Sequence, residues 1–421
     1  MRPGHGIVLI ALSLLVLGVV MINSAGLTVR PDPALVSSGA ITEETFVRRM
    51  DSYRPISLEN IVFGRTTLLA GLALLALLIG SRVPLERLYA LRGILTPAFW
   101  LVAAMVGLLL LVHVPGIGRE ANNSARWIGS PTYGFQPSEL AKWGMIFVIA
   151  WHCVRRPGAM RSFTHGFLPA MLLVGLVCGL IAKEDLGTGV LVFTVAVLML
   201  VAGGARWWHA ALLAPVGVLA GIAAIVTSPY RVNRLLAWRN PFDDPQGIGY
   251  HIIQSMSTIA GGGLTGLGLG NSVQKFGYLP EDTTDFIFAI ICEELGIVGA
   301  TAVLVLYAGL LYLGFRIITR SSPADGDRPG GPLVPPFSAL FGLGVLLTIG
   351  LQALINITVV TGIAPTKGIA LPLLSSGGSG WVLTGFSLGL LLSIERASIA
   401  RERGIADPPP LRTSEPLCLP A

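Results

Sequence analysis

Five carboxylates, Glu281, Asp282, Asp285, Glu293 and Glu294, fall in one short stretch, YLPEDTTDFIFAIICEELG, of a chain that is otherwise strongly apolar. An ionised side chain at the centre of a bilayer costs about 2.5–3.5 kcal/mol even on the most lenient scale, so acids beside apolar runs face water or a polar cavity and mark candidate sites. Glu281 and Asp282 read as residents of the water-facing headgroup layer. Asp285 is different, because Phe286-Ile287-Phe288 follow it directly. It ends a polar, proline-marked loop and begins an apolar helix, a position that marks it as a candidate site residue.

A second pair has helical spacing. FQPSELAK puts Pro137 in a first helical turn, where its missing N–H is harmless, and Glu139 beside it, where a negative charge complements the helix N-terminus. Glu139 and Lys142 are three residues apart and share a face. That face reads equally as a membrane-edge ion pair with a snorkelling lysine or as the lining of a cavity. Arg231, Arg234 and Arg239 cluster elsewhere, and Arg119, Arg126, Lys183, Lys275 and Lys367 fall on the same predicted side. For a single arginine, anchoring to anionic headgroups is the simpler reading. The set favours a phosphate-bearing ligand, which the planar guanidinium fork suits.

Other patterns exclude chemistry. Gly261-Gly262-Gly263 and Gly266-x-Gly268-x-Gly270 lack both the strand–turn–helix context of a dinucleotide site and the Gly-Lys-Ser/Thr of a Walker loop. A bend that lets two backbones approach is expected there, with a nest of N–H groups for a diphosphate as the alternative. The six histidines have no metal-ligand spacing. Cys153, Cys178, Cys292 and Cys418 suggest packing residues, with no disulfide framework or zinc site.

The elements that must carry these residues are membrane spans. Hydrophobic residues make up 53% of the 421-residue chain and charged residues 12%, and the mean hydropathy is +0.72, far from a soluble domain. Apolar runs at 7–22, 67–80, 96–114, 139–154, 167–182, 188–202, 210–226, 295–315, 337–360 and 381–394 predict an all-α polytopic membrane protein of about ten transmembrane helices. The first run resembles a signal peptide but is read as an uncleaved span. With ten spans, Arg2, Arg82, Arg87, Arg92, Arg155, Arg156, Arg161, Arg206, Arg316, Arg320, Arg328, Arg396, Arg401 and Arg403 all fall on one side, which the positive-inside rule makes cytoplasmic, with both termini. The net charge of +6 is mostly these arginines, so no nucleic-acid partner is implied. Three outer segments, 23–65, 115–137 and 228–294, are too long for simple turns. The last carries Ile252, Ile253, Met256 and Ile259 at helical spacing, which predicts a helix on the membrane surface. The membrane domain is expected over 1–394, and 395–421 as a Pro-rich cytoplasmic tail whose composition predicts disorder.

The motifs NNSARWI, FQPSELAK, DLGTG, PYRVNRLLAWRNPFDDP, GYHIIQS, GGGLTGLGLGNSVQKFGYLPEDTTDFIFAIICEELG and INITVVTGIAPTKGIALPLLSSGGS together resemble the SEDS family (shape, elongation, division and sporulation). Ala364-Pro365-Thr366-Lys367-Gly368 and Asn271-Ser272-Val273-Gln274-Lys275 are more similar to its division branch, FtsW, than to its elongation branch, RodA. The resemblance implies a ten-span bundle with a large extracytoplasmic loop before the eighth span. The implied activity is polymerisation of lipid II, the undecaprenyl-diphosphate-linked disaccharide-pentapeptide, at the outer face of the bacterial cytoplasmic membrane. The implied partners are a class B penicillin-binding protein transpeptidase, other divisome membrane proteins and membrane lipids. It also implies Asp285 as the catalytic carboxylate, with Asp185, Glu139, Lys142, Arg231, Arg234, Lys275, Lys367, Ser375 and Ser376 around the substrate cavity. The chain departs from the family pattern at Thr283-Thr284-Asp285, Tyr250-His251 and Ser375-Ser376-Gly377-Gly378, where His-Thr-Asp, Tyr-Gln and Ser-Tyr-Gly-Gly are usual.

The chemistry agrees with the residues. A polyprenyl-diphosphate is a good leaving group, so no second carboxylic acid need protonate it, and one base with a charge clamp suffices. A divalent cation, Mg or Mn, could neutralise the diphosphate, although no cage of ligands is visible. A flippase for the same lipid-linked precursor, or a scaffold that recruits a transpeptidase, would equally place polar groups inside a bundle.

Overall fold

Among the described residues, ten helices of fifteen or more residues each overlap one of the ten apolar runs. The computed structural model describes residues 2–25, 62–121, 124–130, 134–272, 283–321 and 336–403. Lys275, Glu281, Asp282, Cys418 and most of the segment 23–65 lie outside them. The long helices are α1 (Pro3–Ala25), α2 (Arg65–Gly80), α4 (Pro97–Leu111), α5 (Pro137–Arg155), α6 (Leu168–Glu184), α7 (Leu186–Ala202), α8 (Trp207–Val226), α11 (Ile287–Ser321), α12 (Phe337–Val360) and α13 (Ser379–Glu402). Shorter ones are α3 (Leu85–Ala90), α9 (Pro229–Arg239) and α10 (Tyr250–Gly261). Six helical segments are long and apolar enough to cross a membrane, and α2, α4 and α7 are shorter apolar helices. The remaining long helix, α5, is interrupted by Glu139, Lys142 and Arg155. Helix α8 buries only His209 among its residues. Such an apolar surface is tolerable only against lipid.

Three features differ from the sequence reading. First, the eighth long helix begins at Ile287, not near 295, and bends at Gly296, which has φ 65°. The bend is built with the glycine-rich run. Leu267 N–H donates to the Glu293 carbonyl at 2.9 Å and Gly268 N–H to that of Glu294 at 3.0 Å. A Cβ on Gly296 would stand 2.4 Å from the Leu264 carbonyl oxygen. The glycines therefore serve a close backbone approach, and these N–H groups are committed to it. Glu293 and Glu294, 3% and 0% exposed, lie inside the helix and not at its mouth. Their carboxyl groups are hydrogen-bonded there: Ser24 Oγ donates to Glu294 at 2.7 and 2.9 Å, and Ser272 Oγ donates to Glu293.

Second, α13 continues to Glu402, so the start of the expected tail is ordered helix. It is docked: Gly4 N–H donates to Glu395 at 3.1 Å, Arg396 donates to the Ser81 carbonyl at 3.0 Å, and Arg401 pairs with Glu86. Third, the segment before α5 folds as a small antiparallel sheet, β1 (Gly118–Ala121), β2 (Ser124–Gly129) and β3 (Gly134–Phe135), in the order β1-β2-β3. It sits on the end of α6, where Glu184 accepts from Ala125 N–H and Arg126 Nε at 3.0 Å each. The predicted amphipathic helix forms as α10, but its buried face is Ile252, Ser255 and Thr258. Ser255 Oγ donates to the Val360 carbonyl at 2.7 Å, so α10 is keyed onto the end of α12.

Candidate active site

One polar cavity of about 190 Å³ opens where the starts of α5, α7, α11 and α13 meet the loop between α12 and α13. It brings together Glu139, Lys142, Asp185, Asp285, Ser375 and Ser376. Lys142 is its buried cation, with its side chain 2% exposed. The ammonium donates to Glu139 Oε1 and to Gln352 Oε1, each at 2.9 Å, and lies 5.3 Å from the Trp143 ring centroid. Glu139 Oε2 is buried and accepts no hydrogen bond among the described residues. The carboxylate thus holds one oxygen on Lys142 and presents a second acceptor beside the cavity.

Helix α12 supplies a polar spine through an apolar bundle. Gln352 receives Lys142 on its oxygen and donates its Nε2 to the Ala370 carbonyl at 2.7 Å. One turn on, Asn356 donates to the Asp285 and Ile369 carbonyls at 2.8 and 2.7 Å. The start of α11 and the loop after α12 are thereby tied to one helix, which fixes Asp285 against Gly368. A Cβ at Gly368 would come 2.9 Å from Asp285 Oδ2. Only the movable end of a carboxylate is in the way. Gly368→Ala is therefore expected to leave the unfolding midpoint almost unchanged while lowering turnover about 10²-fold, the cost of misplacing a reacting group by roughly 1 Å. Parental turnover in that variant would mean that Asp285 is not poised against Gly368.

Two of these cavity residues also hold the backbone, and other sequence-selected residues lie outside the cavity. Asp185 caps α7, accepting from Thr188 N–H at 3.0 Å and Thr188 Oγ1 at 2.8 Å. Ser375 Oγ accepts from Leu371 N–H at 2.7 Å and shapes the loop. Arg231 and Arg234 do not line the cavity. Arg231 donates to the Ala182, Lys183 and Ala224 carbonyls at the ends of α6 and α8, and Arg234 donates to the Thr366 carbonyl and stacks on Tyr230. Both act as carbonyl clamps on helix ends and loop. Lys367 is half-buried, and burial pushes its ammonium below the ordinary lysine range, with the Asp185 carboxylate opposing that shift. Of the outward cations singled out in the sequence, Arg126 lines the cavity, and Trp127, Thr284, Gln352 and Trp381 line it without having been selected.

A divalent cation finds no resident cage. Among the described residues no three His, Cys, Asp or Glu side chains converge on a metal position. Both oxygens of Asp185 already accept from Thr188.

Comparison with known proteins decides the lineage. A family model described as a cell cycle protein, covering FtsW, RodA and SpoVE, matches residues 45–399. The chain belongs to this family. Its curated relatives include Stage V sporulation protein E of Bacillus subtilis, 40% identical over 292 residues, which are 69% of this chain and 76% of that protein. The probable peptidoglycan glycosyltransferase FtsW of Geobacter sp. is 38% identical over 314 residues, 73% of this chain and 80% of that one. Among solved structures, a chain of a peptidoglycan synthase complex that coordinates polymerisation and crosslinking aligns over 94% of this chain and 98% of its own, at 28% identity and a TM-score of 0.67. The rod shape determining protein RodA of Thermus thermophilus aligns over 93% and 96%, at 27% identity and a TM-score of 0.60. The FtsW/RodA/SpoVE family is thus met at the level of sequence and of fold, and the division-branch resemblance agrees with the FtsW names.

Proposed function

We propose that this chain is a peptidoglycan glycosyltransferase that polymerises lipid II into glycan strands at the outer face of the cytoplasmic membrane during cell division. The observation that carries this reading is the polar cavity lined by Asp285 together with a hydrogen-bonded Glu139–Lys142–Gln352 chain, at one end of an apolar bundle. Asp285 takes the proton from the acceptor sugar hydroxyl. The freed oxygen lone pair attacks the donor's anomeric carbon, and the bond from that carbon to the diphosphate oxygen breaks, so the lipid diphosphate leaves with the electron pair. Arg126 at the cavity and Lys367 beside Asp185 supply positive charge on the side where the diphosphate departs. A class B penicillin-binding protein crosslinks the strands, and the relative from a peptidoglycan synthase complex supports such a partnership. Purified protein incubated with lipid II should yield polymer; transfer of lipid II across vesicles without new glycosidic bonds would overturn the enzyme in favour of a flippase, and transpeptidase binding alone would leave a scaffold.

The reading fixes a topology. Ten spans put the cavity end outside and the arginine-rich ends of α2, α5, α8's entry, α11 and α13 inside, with both termini. Ser272 is fully buried and unsuited to labelling, whereas Gln246 and Ala90 are exposed. Gln246→Cys should react with an impermeant maleimide added to intact cells, and Ala90→Cys only after lysis. The reverse pattern would overturn the orientation and, with it, outside polymer synthesis.

A further inference from the structure

We propose that the cleft between α4, α5 and α6 is a binding site for one anionic phospholipid, with an acyl chain in the cleft and the headgroup phosphate on Arg156. The cleft has a volume of about 600 Å³. That lies within the roughly 300–1,000 Å³ typical of ligand cavities. Its body is apolar, formed by side chains such as Phe99, Val102, Val148, Ile149 and Leu173. Trp151, His152 and Arg156 line it as well, and no carboxylate does.

Two observations point to an anionic headgroup and not to an annular hydrocarbon alone. Arg156 follows the end of α5 at the exposed rim of the cleft, and its guanidinium makes no hydrogen bond or ion pair among the described residues, unlike its neighbour Arg155, which donates to the Tyr89 and Leu91 carbonyls. Trp151 Nε1 is buried and also makes no hydrogen bond. A cation and an indole donor without protein acceptors, on a cleft that holds no acid, match the phosphate oxygens of a lipid. An indole at the boundary of the apolar zone is also where Trp sits best in membranes.

The site is remote from the candidate active site. Arg156 is seventeen residues beyond Glu139 on α5, about 25 Å at 1.5 Å per residue. A lipid there belongs to the opposite leaflet from the substrate's headgroup and wedges α4 against α5 and α6.

Native mass spectrometry of the full-length protein, purified in detergent and titrated with phosphatidylglycerol or phosphatidylcholine, tests this. The parent should retain one phosphatidylglycerol with at least a fivefold preference over phosphatidylcholine. Arg156→Gln should remove that preference. Val102→Trp, which fills the cleft from α4, should lose retention of both lipids. Equal retention of the two lipids by the parent, an unchanged preference in Arg156→Gln, or parental retention by a folded Val102→Trp would each overturn the proposal. If Val102→Trp does not fold, Arg156→Gln decides alone, since Arg156 follows the end of its helix.

Discussion

Asp285→Asn is expected to insert and fold like the parent protein while its lipid II polymerisation falls about 10²–10⁴-fold, the usual contribution of a positioned general base. Asparagine keeps the shape and the backbone bond from Asn356 to the residue 285 carbonyl but cannot take the acceptor's proton. Binding of substrate and of a partner transpeptidase should persist, so the loss should appear in turnover and not in the Michaelis constant. Asp282→Asn should be milder, as Asp282 stands three residues earlier in the loop. Near-parental polymerisation by folded Asp285→Asn would move suspicion to Asp185 or Asp282. Of these, Asp185 is the weaker candidate, because both of its oxygens cap α7.

The second large effect falls on stability. Removing one partner of a desolvated ion pair leaves a stranded charge and costs about 3–5 kcal/mol, against about 0–1 kcal/mol for an exposed pair. Lys142 is on the buried side of that distinction. Lys142→Ala would leave the Gln352 oxygen without its donor and the Glu139 carboxylate uncompensated, and Glu139→Ala would strand the ammonium itself. Each variant should unfold in detergent at a clearly lower midpoint and lose activity. Glu139→Gln combined with Lys142→Met should regain part of the midpoint but not the activity, because no charge remains to be stranded and none to serve the cavity. If both alanine variants match the parent in midpoint and turnover, the pair is peripheral.

The sequence displayed the parts of the site that violate apolar expectation. Asp285 stood out because a carboxylate directly before Phe286-Ile287-Phe288 needs polar company, and the cavity is where it stands. Glu139 and Lys142 stood out by spacing, although spacing alone could not choose between a membrane-edge pair and a cavity pair. Gln352 and Asn356 went unnoticed inside a run that reads as a span. The signal was present: two amides four residues apart in a hydrocarbon-facing segment must be hydrogen-bonded internally. The predicted outward cations take different places. Charge counts on one side suggest an anionic ligand, but composition cannot reveal that Arg126 lines the cavity whereas Arg231 and Arg234 donate to backbone carbonyls. The β1–β3 sheet was hidden because its strands are too short for alternation to register, and the start of α11 was misplaced because buried Glu293 and Glu294 look like loop residues until their serine partners are known.

The bend at Gly296 separates two kinds of environment along one helix. Every residue from Ile287 to Glu294 is buried, as in the interior of a water-soluble protein, whereas Ile297, Val298 and Val305 beyond it are exposed to lipid. Unbroken, thirty-five residues would extend about 52 Å, far more than the roughly 30 Å of hydrocarbon to be crossed. The outer segment is therefore not part of the ruler that measures the bilayer. A thicker or thinner membrane is expected to be met by tilting the rod beyond the bend, while the buried segment next to Asp285 stays wedged among its neighbours. On the proposed reading, the cavity beside Asp285 is expected to keep its geometry whatever the thickness of the surrounding lipid.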